Sequence, residues 1–377
     1  MSEAAAQPTL RSLAVAALAS APGDAPGVAA LSDEAWVVGG AVRDEVLGRP
    51  VLDLDIACAA PEESARRTAR LTGGAPFPLS ERHGAWRVVL EDGRTIDYTP
   101  LQGTLLEDLA LRDFTVNAVA SPLGGGAALD PHNGLADLAA GTLRMVSAAA
   151  LDSDPVRLLR AVRFEDELGL RLDAATEAAV RERAALVTQP AGERTLAELV
   201  RLSRAGWQRL AALGLLQPLG GAPDTLDRLP AVEDTVADGD PAALLLVAGL
   251  GAALLRLPIA NELRRQAKTL LRAELPGAGD AAAADPRAIH RFRRDSEPWA
   301  LAALALAGRG ASSPLARAVV AARSSDPAEP LLRGDELQLP PGPEIGRILA
   351  LIAEERAAGT ISTRDEALAL ARQEGAR

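Results

Sequence analysis

Cys58 is the only cysteine in 377 residues, so no disulfide can form within the chain, and a lone thiol suits a reducing, cytoplasmic setting. The three scattered histidines give no zinc cluster and no His-Asp phosphohydrolase signature. Aromatic residues make up only 2% of the chain, which leaves alanine and leucine to pack its cores. Lys268 is the only lysine, so nearly all positive charge is arginine. The longest apolar run, residues 242–255, is too short to span a bilayer, and no membrane partner is expected. Residues 12–21 have some signal-peptide character, but Glu3 precedes the single Arg11 and no basic region leads in. An amphipathic helix is expected there instead. The net charge of −11 argues against a generic nucleic-acid coat, because phosphate binding needs a basic surface. An RNA enzyme that gathers its arginines on one concave face remains compatible with that charge.

Hydrophobic residues are 48% of the chain, and the length suits two or three domains with substantial cores. Residues 1–30 read as a helix and a Gly/Pro/Ala linker. Strands are expected at 36–38 and 53–57 and a helix at 61–72; strands at 87–90 and 95–99 flank Asp92-Gly93, a hairpin signal. Beyond about residue 136 the pattern is helical to the end, broken near 218–223, 276–286 and 338–343. The expected class is α+β: an α/β head with a mixed sheet at 31–140, a helical neck at 141–218, and a helical body and tail at 219–377.

Residues 36–56 read Trp-Val-Val-Gly-Gly-Ala-Val-Arg-Asp-Glu-Val-Leu-Gly-Arg-Pro-Val-Leu-Asp-Leu-Asp-Ile. Gly39 and Gly40 let the chain turn sharply and approach a ligand closely. The helix that follows aims free N–H groups at an anion, and Arg43 adds a forked donor for phosphate oxygens. Asp53 and Asp55 lie two apart on a strand, so both carboxylates leave the same face. Magnesium takes a few carboxylates together with substrate phosphates, and paired metals are a known device for in-line displacement.

This string resembles motif A of the class II tRNA nucleotidyltransferases, the CCA-adding enzymes, a family that includes bacterial poly(A) polymerases. The resemblance implies a nucleotidyltransferase head, Mg²⁺ on Asp53 and Asp55, and Asp97 of Thr-Ile-Asp-Tyr as a third catalytic carboxylate. A third acid would bind one metal and help deprotonate the attacking 3′-hydroxyl. Residues 107–120 resemble motif B, which implies a triphosphate or ribose contact for Arg112 and a ribose contact for Asn117. Residues 130–144 resemble the motif C hinge, with Gly134 allowing a bend and Asp137 opening the next segment. The tail resembles that of bacterial tRNA-end enzymes, where Gly342 and Gly346 would let a helix approach an RNA backbone.

Residues 154–164 read Asp-Pro-Val-Arg-Leu-Leu-Arg-Ala-Val-Arg-Phe, close to the family pattern Glu-Asp-x-x-Arg with Ser153 in place of the Glu. Asp154 and Arg157 are expected to meet on one helix face; the plainer alternative makes Asp154 a cap ahead of Pro155. Cytosine and adenine both offer an exocyclic amino donor beside a bare ring nitrogen. A carboxylate can accept from the first while a guanidinium donates to the second. Uracil and guanine present a ring N–H and a carbonyl there, and the same pair rejects them. Arg160 and Arg163 continue the stripe, contacting triphosphate or packing within the neck.

The expected activity is template-independent transfer of CMP, AMP or both from CTP and ATP to the 3′ end of tRNA. Within the class, a poly(A) polymerase or an enzyme adding only CC or only A stays open. Only a few residues separate Thr99 from Glu107, where full CCA-adding relatives carry a longer loop, and in the family loss of that loop accompanies CC addition. A non-catalytic RNA-binding protein and a small-molecule nucleotidyltransferase are the alternatives from other classes.

Overall fold

A computed structural model describes residues 9–19, 35–80, 84–101, 103–231, 234, 238–277, 285–327 and 329–375. The chain divides into two compact units, residues 1–190 and 191–377. The first takes in the expected head and the opening part of the expected neck. The expected helix near the start is present at Leu10–Ala19, whereas the linker at 20–30 lies outside the described residues.

The first unit is built on a six-stranded mixed sheet. Its strands are β1 (Trp36–Val38), β2 (Asp53–Cys58), β3 (Ala75–Ser80), β4 (Ala85–Val89), β5 (Thr95–Pro100) and β6 (Ala120–Pro122), in the order β3-β4-β5-β2-β1-β6. β2 and β5 are parallel, and every other neighbouring pair is antiparallel. Asp92-Gly93 turns β4 into β5, with Gly93 at φ 84° and Asp92 accepting from the Arg94 N–H at 3.0 Å. β3 is not signalled by the sequence, because Pro76 and Pro78 read as breakers. At the edge of the sheet those prolines are tolerated, since no neighbour needs their missing donors.

The helix Pro61–Thr72 has proline in its first turn, Glu62 and Glu63 at its positive end, and Gly73 at φ 73° closing it. With the helix Leu10–Ala19 it covers one sheet face, burying Ala14, Ala65 and Ala69 against Leu54, Ile56, Val88, Ile96 and Tyr98. Strand alternation sends Asp53, Asp55 and Ala57 to the opposite face. There a smaller cluster of Val38, Ala57, Leu109, Ala118 and Ala120 roofs only the β1–β6 side. This unequal cover leaves Asp53 exposed and Asp55 partly buried.

The rest of the first unit is mainly helical, although Thr142–Leu143 and Arg171–Leu172 form a short parallel pair. The described residues of the second unit are helical and contain no strand. Trp207 is fully buried, and a Cβ at Gly249 would lie 2.3 Å from its ring, so only glycine fits there. The apolar run at 242–255 opens as the helix Pro241–Leu250, which is buried along most of its length. Among the described residues no single helix is long and apolar enough to cross a membrane. Leu332, Ile348, Ile352, Ala367 and Ala371 form a separate small core near the end of the chain.

Candidate active site

The parallel β2–β5 register pairs Asp55 with Asp97, and Asp55 also pairs with Val38 of β1. Asp97 in turn pairs with Arg87 of β4. These residues therefore form a straight row on the open face. Asp53 stands two residues before Asp55 on the same face and is exposed; its Oδ1 accepts from Thr95 Oγ1 at 2.6 Å. Burial pushes the Asp55 carboxyl up to about 6, with the charges of Asp97 and Asp53 adding to the rise and Arg112 and Arg87 opposing it.

Asp97 is held by Arg87, whose Nε and Nη2 donate to its two oxygens at 2.7 Å each. Sequence reasoning missed this arginine. Among the described residues no three His, Cys, Asp or Glu side chains form a ready-made metal cluster, and both Asp97 oxygens accept from Arg87. What remains is two neighbouring carboxylates, one carrying an elevated pKa from burial and crowded negative charge. That donor set fits Mg²⁺, which needs one or two carboxylates and completes its shell with substrate oxygens and water.

Gly39 ends β1 at φ 73°. A Cβ there would lie 3.3 Å from Asp55 Oδ2 and 3.7 Å from Arg112 Nη1, so Gly39 brings the carboxylate and the guanidinium to either side of bare backbone. Gly40 opens the helix Gly40–Val46, and a Cβ on it would sit 3.2 Å from Arg43 Nη2. Arg112 is half-buried and pairs with Asp108 at 2.6 Å, four residues earlier.

Behind this surface lies a buried polar chain. Arg43 Nη1 donates to Asn117 Oδ1 at 2.6 Å, and Asn117 Nδ2 donates to Asp113 Oδ1 at 3.0 Å. Asp113 also accepts from the Phe114 N–H at 2.8 Å and from Arg160 Nε at 2.7 Å. Burial works to raise the Asp113 pKa, yet Arg160 and the hydrogen bonds hold it below the ordinary value. The guanidiniums of Arg43, Arg160 and Arg163 surround the Phe164 ring, their carbons 5.2, 5.0 and 4.3 Å from its centroid. Arg163 is buried and pairs with Glu167 at 2.7 Å. Asp113 is the hub of this layer and was missed by sequence reading, although its four-residue spacing from Asn117 is a usable signal.

Asp154 and Arg157 are not on one helix. Asp154 follows the helix Ala148–Ser153 in an extended conformation, φ −146° and ψ 89°, and the next helix begins only at Val156. Pro155 is the physical reason, since a residue before proline is driven out of the helical region. The two stay adjacent because the Arg157 N–H donates to the Asp154 carbonyl at 3.0 Å. Arg157 Nη1 donates to the Ala150 carbonyl at 3.1 Å. Burial lowers the Arg157 pKa, while Asp113 and Asp154 oppose that shift and Arg160 and Arg112 add to it. Arg157 is thus within electrostatic range of both acids and both arginines.

In the hinge segment, Gly134 has no positive φ to satisfy. It is needed for close packing, because a Cβ there would lie 2.0 Å from the Thr115 carbonyl oxygen. Asp130 caps it by accepting from the Gly134 and Leu135 N–H groups at 2.7 and 2.9 Å. Asp137 accepts from Thr115 Oγ1 at 2.7 Å and pairs with Arg144 at 3.1 Å. In the tail, a Cβ at Gly346 would meet nothing, so packing within the chain does not require that glycine.

Comparison with known proteins bears on the family and the fold. The profile of the family described as "Poly A polymerase head domain" matches residues 35–102 and 86–144. The chain is 34% identical to the CC-adding tRNA nucleotidyltransferase of Geobacter sulfurreducens, over 88% of this chain and 90% of that protein. It is 36% identical to the A-adding tRNA nucleotidyltransferase of Deinococcus radiodurans, over 89% of this chain and 94% of that protein. A solved complex of CCA-adding enzyme with CTP has the same fold, with a TM-score of 0.72 at 18% identity, covering 96% of this chain and 97% of that one. The chain belongs to the family of tRNA nucleotidyltransferases built on the poly(A) polymerase head domain.

Proposed function

We propose that the chain transfers CMP, AMP or both from CTP or ATP to the 3′ end of tRNA without a template, releasing pyrophosphate. The observation that carries this is the row joining Asp97 to Asp55, with Asp53 beside it and Gly39 and Arg112 at its β1 end. In this reading Asp53 and Asp55 hold Mg²⁺, which when bound supplies charge neutralisation at the phosphates and acidifies the attacking hydroxyl. Asp97 orients the acceptor 3′-hydroxyl and helps take its proton. The bare backbone at Gly39 and Gly40 and the guanidinium of Arg112 hold the triphosphate, while Asp154 and Arg157 read the base edge. Arg43, Asn117, Arg160 and Arg163 act behind them through the chain centred on Asp113 and Phe164, keeping the donors preorganised. Residues 31–140 then carry the chemistry, 141–218 the nucleotide choice and 219–377 the grip on tRNA. A cytoplasmic location belongs to the same reading.

A narrower reading, addition of the two C residues only, is favoured by the connection after β5. β5 ends at Pro100, and Thr104 already caps the next helix, bonded both ways with Glu107. No room is left for a long loop.

The test is transfer of α-labelled nucleotide to tRNA with measured pyrophosphate release. Asp53→Ala and Asp55→Ala should each abolish transfer while tRNA affinity stays near that of the parent. Normal turnover by either variant removes the two-carboxylate assignment.

A further inference from the structure

Four phenylalanines occur in the chain. Phe114, Phe164 and Phe292 are buried, whereas Phe77 is 40% exposed. Phe77 lies on β3 directly opposite Arg87, so it extends the active-face row by one more strand: Phe77, Arg87, Asp97, Asp55. Strands are spaced about 4.8 Å apart, which puts Phe77 roughly 10 Å from Asp97. Flanking Pro76 and Pro78 block strand addition at this edge, so a ligand reaching Phe77 approaches from the face. Arg87 spends Nε and Nη2 on Asp97, leaving Nη1 outside that pair on a half-buried side chain.

In-line displacement puts the attacking oxygen and the leaving group on opposite sides of the reacting phosphorus. Resting on the nucleotidyltransferase reading above, the leaving pyrophosphate lies toward Gly39 and Arg112, on the β1 side of Asp55. The acceptor must then enter from the β5 side, where the row runs out to Arg87 and Phe77. We infer that Arg87 and Phe77 form the acceptor-end subsite, in which a base at the RNA 3′ terminus stacks on Phe77 and a neighbouring phosphate meets Arg87. An exposed aromatic ring stacks on any base, and a guanidinium beside it supplies the charge a phosphate needs.

The test uses the full chain and tRNA carrying 2-aminopurine as its 3′-terminal base. Stacking on Phe77 quenches the fluorescence on binding, with no turnover required. Phe77→Ala and Phe77→Leu should restore the fluorescence and Phe77→Trp should keep it quenched; thermal unfolding identifies which variants are folded, and the leucine variant serves if the alanine variant is not. In turnover, Phe77→Ala should lower kcat/KM for tRNA by about 5- to 150-fold, the range of one base stack, and leave KM for the nucleotide unchanged. Parent-like quenching and turnover in folded Phe77→Ala or Phe77→Leu overturns the subsite while nucleotidyl transfer stands. Phe77-dependent quenching in a protein that extends no acceptor keeps the subsite and removes the nucleotidyltransferase reading.

Discussion

Arg160 Nε donates to Asp113 Oδ2 at 2.7 Å, tying the helix Val156–Leu168 to the turn that carries Arg112 and Asn117. Asp113 is 5% exposed, and its other oxygen serves Asn117 and the Phe114 backbone. One buried carboxylate thus sets the positions of groups from two expected functional segments.

Asp113→Ala should be among the most destabilising single changes in the first unit. It strands the amide of Asn117 and takes one acceptor from the guanidinium of Arg160, at a cost of about 3 kcal/mol, measured by urea unfolding. Asp113→Asn should recover part of this, because it keeps an acceptor toward Arg160. Parent-like stability of Asp113→Ala contradicts the hub role.

Asp55 gives a pH signature in metal-free protein. Its folded-state pKa is raised to about 6, so its favourable contribution is present below its ordinary value near 4 and is lost as pH rises through about 6. Asp55→Asn removes the titration. In a chelator, the variant should gain melting temperature over the parent from about pH 4 to about pH 7.5. A difference that does not change with pH contradicts the crowding of Asp55.

Several of these elements are legible in the order of the residues. Alternation across Asp53-Leu54-Asp55 fixes which face carries the acids, and the Asp92-Gly93 turn sets β5, with Asp97, beside β4. The helix at 61–72 declares both ends through Pro61 and Gly73. β3 escapes, because Pro76 and Pro78 look like breakers until the strand is known to be an edge. The same-helix placement of Asp154 and Arg157 fails at Pro155, whose ring dictates the conformation of the residue before it. Arg87 was within reach of the hairpin signal, since the Asp92-Gly93 turn sets it opposite Asp97; Asp113 escapes because what marks it is a partner met through the fold, 47 residues away.

Arg157→Ala should relax base discrimination as well as slow transfer. Rejecting uracil or guanine sets N–H against N–H in a desolvated site, worth on the order of 1–3 kcal/mol, or roughly 5- to 150-fold in selectivity. Transfer rates for the four nucleotides on one acceptor measure this. Unchanged ratios leave Arg157 with its bonds to Ala150 and Asp154 and no part in reading the base.

tRNA affinity should fall steeply with salt, because a chain of net charge −11 must concentrate its cations to hold RNA. The helix Asn261–Arg272 exposes Arg265, Lys268 and Arg272. Lys268→Glu with Arg272→Glu should weaken binding and flatten the salt slope by about 0.9 for each phosphate that is no longer neutralised. An affinity in the double variant that follows the parent across the salt series excludes this helix from the RNA surface.

The most direct measurement offers three tRNA acceptors, ending at the discriminator base, at the first C and at CC, with each of the four nucleoside triphosphates in turn, and reads the product ladder. The expected result is extension by one or two residues with CTP, or by one residue with ATP on the CC acceptor, with UTP and GTP left unused and all extension abolished in Asp55→Ala. Failure to extend any of the three acceptors with CTP or ATP contradicts tRNA 3′-end nucleotidyl transfer.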